Sequence, residues 1–169
     1  MAAPKFLQYN PATGRDIEVA AVTTATPNSI PATDANGRLT QAQMPTGVGP
    51  ELVQLPCSEA LVAGDWVSFH DVGGVAKVRK ANATDATKPA QGFVKAGFNS
   101  GDTVDVYCDG QNAGLTGLTA GTRCFLSAAA SGATVTTPPN AAGNLVQCVG
   151  VAVNATTVLF KPEAGVVLA

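Results

Sequence analysis

The sequence predicts an all-β protein: a compact β-sandwich or β-barrel domain over residues 51–169, preceded by an extended, proline-punctuated N-terminal arm over residues 1–50. Three observations predict it. From Glu51 onward, short runs rich in β-branched and aromatic residues recur between Gly, Pro, Asn and Asp, the spacing of a sandwich or barrel. Residues 1–50 carry Pro4, Pro11, Pro27, Pro31, Pro45 and Pro50, with no helical periodicity longer than a turn. The 169 residues suffice for one ordinary domain and exclude two catalytic ones.

The arm holds short apolar groups between its prolines: Phe6, Leu7 and Tyr9, then Ile17, Val19 and Val22, then Ile30, then Leu39, Met44 and Val48. Residues 34–38, Asp-Ala-Asn-Gly-Arg, spell a turn, because Asn-Gly readily takes positive φ. Anchors spaced this way suit a segment lying on its own domain or on a neighbouring subunit. A disordered tail is the alternative, disfavoured by few charges and many apolar residues.

In the second part, strands are expected at residues 53–57, 65–69, 75–80, 92–96, 103–108, 123–127, 133–137, 145–153 and 157–161. Residues 64–69, 101–106 and 121–126 each begin with a Gly turn that releases a strand of period two, which reads as repeated turn chemistry. Residues 145–153 are apolar on both faces with Gln147 the only polar side chain, so this strand is expected at the centre, covered on both sides. Residues 75–80 place Lys77 and Arg79 on one face and Ala76 and Val78 on the other, a pattern that suits a solvated sheet face.

Composition argues against most chemistry. Charged residues make up 13% of the chain, against roughly 25% in an average soluble domain, which suits a surface that meets other protein surfaces. The formal net charge of −2 is spread along the chain and steers toward neither nucleic acid nor a membrane surface. Met1–Tyr9 is too short in apolar residues for a signal peptide, and no run approaches the roughly 18 apolar residues of a membrane helix, so synthesis in the cytoplasm and a soluble product are expected. The single histidine, His70, lies beside Asp71 and near Ser68, but adjacent strand residues point to opposite faces and do not make a triad. Asp102, Asp105 and Asp109 lack the tight loop that a calcium site needs, and Asp85 stands apart in a Thr-rich loop. Cys57, Cys108, Cys124 and Cys148 are widely spaced, without a Cys-x-x-Cys pair, which favours small buried side chains and leaves a disulfide open. No catalytic residue, metal ligand or cofactor is expected. Trp66 and Tyr107 could line a carbohydrate groove, although core packing explains aromatic residues on strands equally well.

Residues 4–9, Pro-Lys-Phe-Leu-Gln-Tyr, with 34–39, Asp-Ala-Asn-Gly-Arg-Leu, and 44–49, Met-Pro-Thr-Gly-Val-Gly, resemble the N-terminal arm of small structural proteins of tailed-bacteriophage virions. Residues 118–127, 149–153 and 158–162 are similar to the β-domain of the same proteins and of phage capsid decoration, or cement, proteins. The four cysteines and Trp66 stand outside that pattern. The resemblance implies a non-enzymatic virion protein, made in the host cytoplasm, that binds the outer capsid surface and stabilises contacts between capsomers. Its implied partners are the major capsid protein and further copies of itself, as a homotrimer. A tail, fibre or baseplate component is the alternative. On this reading Phe6, Leu7, Tyr9, Ile17, Leu39 and Met44 are the apolar anchors, Arg38 is a polar one, and Gly37 and Gly47 supply backbone turns.

Overall fold

Alternating side chains on either side of Asn10-Pro11-Ala12-Thr13-Gly14 fold the start of the chain into a β-hairpin, in a computed structural model that describes residues 5–22, 30–33, 39, 43–44 and 51–169. The chain divides into two units, Met1–Gly49 and Pro50–Ala169. In the first, β1 (Lys5–Asn10) pairs antiparallel with β2 (Arg15–Ala20). Asn10 closes the turn twice: its Oδ1 accepts from the Ala12 N–H at 2.9 Å, and its carbonyl accepts from the Gly14 N–H at 2.9 Å. Gly14 sits at φ 66°, the left-handed conformation this turn requires. Beyond the hairpin, Val22 bridges Pro31, and the Val22 carbonyl accepts from the Ala32 N–H and from Gln43 Nε2, each at 2.7 Å. The sequence reading expects extended chain here but no strand pairing; the structure adds the pairing.

The second unit is all-β, as expected, with no helix among the described residues. β3 (Leu52–Pro56), β4 (Trp66–Val72), β5 (Val75–Lys80), β6 (Gly92–Phe93) and β7 (Thr103–Tyr107) form one sheet in the order β3-β7-β6-β4-β5. Its two edges meet. Cys57, just past β3, bridges Val78 of β5 in parallel, and the Ser58 N–H donates to the Val78 carbonyl at 2.9 Å, so the sheet curls into a small barrel. Inside lie Val67, Val78, Val104 and Val106, capped by Leu61 and Val94.

The remaining strands are β8 (Gly110–Ala113), β9 (Arg123–Leu126), β10 (Thr134–Val135), β11 (Leu145–Val146), β12 (Cys148–Asn154), β13 (Thr157–Phe160) and β14 (Val166–Val167). Five of them make the second sheet, β10-β9-β12-β13-β8, while β11 pairs with β14. This sheet packs on the outside of the barrel: Trp66 and Phe93 share a core with Cys124, Leu126, Val149, Val158 and Phe160. Strand alternation does this work in β4, which sends Trp66 to the shared core and Val67 into the barrel. Trp66 lies 5.0 Å from Phe160 and 5.8 Å from Phe93 between ring centroids, and its indole N–H donates to Thr134 Oγ1 at 2.7 Å.

Two expectations about residues 145–153 are met in part. β12 is the middle strand of its sheet, but the run breaks at Gln147, and cover on both faces ends at Gly150: Val151 and Val153 are 40% and 44% exposed. A β-bulge changes the register, since Cys148 faces Phe125 while Gly150, two residues on, faces Cys124. Gly150 adopts φ 146°, and a Cβ there would lie 2.0 Å from the Leu159 carbonyl oxygen. All four cysteines are free thiols, with Cys57, Cys124 and Cys148 buried.

Candidate interaction surface

The register of the first hairpin sorts its side chains onto two faces. Phe6, Gln8 and Asn10 stand opposite Val19, Ile17 and Arg15; Lys5, Leu7 and Tyr9 stand opposite Ala20, Glu18 and Asp16. Leu7 is 70% exposed, Tyr9 63% and Ile17 40%, while Phe6 and Val19 half-bury each other as a cross-strand pair. Lys5 Nζ meets Glu18 Oε2 at 2.9 Å in an exposed ion pair, which adds little stability. A two-stranded hairpin with large apolar side chains open on both faces is marginal by itself. Leu7 and Tyr9 leave apolar surface open on one face of it and Ile17 on the other.

Of the sequence-predicted anchors, the hairpin carries Phe6 and Ile17 on one face and Leu7 and Tyr9 on the other. Leu39 is 45% exposed and Met44 half-buried. Gly37, Arg38 and Gly47 lie outside the described residues.

A second apolar surface, which the sequence reading misses, lies on the outer face of the second sheet. Val151 pairs with Leu159 on one side and Arg123 on the other; Phe125 and Leu159 are half-buried. The charges beside them are matched, because Arg123 pairs with Glu163. The Arg123 guanidinium lies 5.8 Å from the centre of the Phe125 ring. The signal in the sequence is the alternation Val149-Val151-Val153, which the bulge converts from core into surface.

The residues that suggest catalysis or metal binding are kept apart or occupied. His70 Nε2 meets Ser58 Oγ at 3.2 Å, not Ser68, whose buried hydroxyl lies 3.4 Å from Gln91 Oε1. Asp71 instead accepts from the Gly74 N–H at 3.1 Å in the β4–β5 turn. Burial, followed by the nearby charge of Arg79 and then Lys77, holds the His70 imidazole below its ordinary pKa of 6.5. Among the described residues no carboxylate is hydrogen-bonded to the imidazole: Nε2 meets Ser58, and Nδ1 is buried without a partner. Asp102 accepts from the Asn99 N–H, Asp105 from Gln54 Nε2 and Asp109 from the Glu51 N–H, so each closes a local contact of its own. Asp85 is lowered to about 2, chiefly by the Thr87 hydroxyl and backbone N–H that donate to it. No group of three or more His, Cys, Asp or Glu among the described residues is placed to hold a metal ion. Trp66 is fully buried and Tyr107 stacks on Phe93 at 5.5 Å, so the aromatic platform for sugars that they could have formed is absent.

In comparisons with known proteins, no family model and no curated sequence matches the chain.

Proposed function

We propose that this chain is a structural protein of a tailed-bacteriophage virion that binds the outer surface of the capsid and stabilises contacts between capsomers, as a homotrimer. The single observation that carries the reading is the hairpin of β1 and β2, with Leu7 and Tyr9 open on one face and Ile17 on the other. Alone it buries too little to hold its shape; against a shell it gains that burial from its neighbours. Repetition over many sites multiplies modest contacts through effective concentration. The compact all-β second unit, short of charge and with its carboxylates engaged locally, suits a rigid body carried by such an anchor. The resemblance of residues 4–9, 34–39 and 44–49 to the arms of phage virion proteins points the same way.

The test is co-sedimentation of the purified chain with undecorated, expanded phage heads. Saturable binding at a fixed ratio to the major capsid protein is expected, and it weakens when Leu7 and Tyr9 are both changed to Asp. Failure of the folded chain to bind heads overturns the capsid role and transfers the hairpin's anchoring task to a tail, fibre or baseplate.

A further inference from the structure

An open groove runs between the turn at residues 114–118, which links β8 to β9, and the segment 132–137 around β10. One lobe, about 250 Å³, is lined by Gly64, Asp65, Leu115 and Gly132; the other, about 340 Å³, by Leu118, Val135, Thr136 and Thr137. Thr116 and Thr134 line both lobes, so the two adjoin at these residues.

Its polar groups are positioned but incompletely used. The Asp65 side chain is only 9% exposed. Its Oδ2 accepts from the Val62 N–H at 2.8 Å and from Lys80 Nζ at 2.9 Å, whereas Oδ1 has no partner among the described residues. Gly132 makes room for that oxygen: a Cβ on Gly132 would lie 2.5 Å from Oδ1. Thr134 Oγ1 accepts the Trp66 indole N–H, which leaves the threonine hydroxyl hydrogen to donate elsewhere. The hydroxyls of Thr116, Thr136 and Thr137 make no hydrogen bond among the described residues. Leu115 and Leu118 add apolar surface that continues into the shared core.

Asp65 lines the groove with a side chain nine-tenths buried, and its Oδ1, without a protein partner among the described residues, is free to accept a hydrogen bond from a bound molecule. Lys80 already neutralises Asp65, so the site favours a neutral donor over a cation. Hydroxyls that both donate and accept, beside Leu and Val methyl groups, match a molecule whose hydroxyls alternate with C–H faces. The larger lobe sits at the small end of ligand clefts and the other just below it. We propose that this groove binds a neutral saccharide about two sugar units long, with Asp65 Oδ1 accepting from its hydroxyls and Thr116 and Thr134 between the two units. The proposal goes beyond capsid binding and does not depend on it.

The test is amide chemical-shift titration of the full chain with maltose, lactose and N,N′-diacetylchitobiose, with tetramethylammonium chloride as the cationic probe. At least one disaccharide is expected to give saturable shifts at Gly64, Leu115, Thr116, Gly132 and Thr134. Thr116→Val, which removes one hydroxyl partner, weakens that binding about fivefold. Thr116→Trp, which fills the wall shared by the lobes, abolishes it, and because Thr116 is exposed and makes no internal hydrogen bond, both variants keep the wild-type unfolding midpoint. Absence of groove shifts with all three sugars overturns the proposal. So does a response to tetramethylammonium equal to that of the sugars, which would make Asp65 a cation site. Either result leaves the head-binding experiment unaffected.

Discussion

The side chain of Gln147 makes a ring of two hydrogen bonds with the backbone of Ala90: Gln147 Oε1 accepts from the Ala90 N–H at 2.7 Å, and Gln147 Nε2 donates to the Ala90 carbonyl at 3.0 Å. Both residues are buried. The amide stands in for a strand at this place, pairing the loop before β6 with the gap between β11 and β12. It explains why one polar residue interrupts an otherwise apolar run.

Replacing Gln147 with Leu keeps the volume but leaves the Ala90 N–H and carbonyl buried without partners. The expected loss is about 3 kcal/mol of unfolding free energy. Urea unfolding followed by the emission of Trp66, the chain's only tryptophan, reads it directly. A loss within experimental error would mean that the ring contributes nothing.

Gly150→Ala is expected to be worse. The added methyl would meet the Leu159 carbonyl oxygen at 2.0 Å, and both partners are backbone in the middle of a sheet, so neither can yield cheaply. A destabilisation of about 4 kcal/mol or more follows. It should appear as loss of soluble protein or of the cooperative transition. Gly143→Ala offers the contrast, since a Cβ there meets nothing within 4 Å and only its φ of 80° opposes the change. It should cost about 1 kcal/mol.

Stability should fall on mild acidification. The folded chain holds His70 below its ordinary pKa of 6.5 through burial and through the charges of Arg79 and Lys77, while a backbone hydrogen bond at Lys77 and the charge of Glu59 oppose them. As pH drops, the unfolded chain therefore takes up the proton first, and the contribution is complete above about 6.5 and lost below it. The unfolding midpoint should be lower at about pH 5 than at about pH 7.5. His70→Gln should narrow that difference; an unchanged difference would assign it to carboxylates.

Much of the second unit was legible. β5 matches the expected residues 75–80, and β3, β4, β7, β9 and β13 match within a few residues, because each alternates apolar and polar side chains between turns. β8 was not legible: Gly110-Gln111-Asn112-Ala113 carries no apolar period, and its buried residue is Asn112, tied by Nδ2 to the Gly64 carbonyl at 2.9 Å. The hairpin of β1 and β2 had a signal in Asn10-Pro11 and Gly14 between alternating runs, masked by the prolines that suggest an extended arm. The apolar anchors Leu7, Tyr9 and Ile17 were legible as residues, but their division between two faces needs the register. Asp65 and the threonines of the groove are scattered from residue 65 to 137, and only the folding of the two sheets together unites them.

Changing Leu7 and Tyr9 together to Asp should leave the unfolding midpoint of the second unit unchanged, because those side chains are exposed on a separate unit. Self-association should weaken, as seen in sedimentation velocity. A variant that unfolds the second unit would assign the two residues a role in folding instead.

The most direct measurement is electron microscopy of undecorated, expanded heads mixed with the full chain and separated from unbound protein. The account predicts added density on the outside of the shell at threefold or quasi-threefold positions, reduced by the Leu7 and Tyr9 double substitution. A bare shell, with the chain folded and in excess, would contradict it.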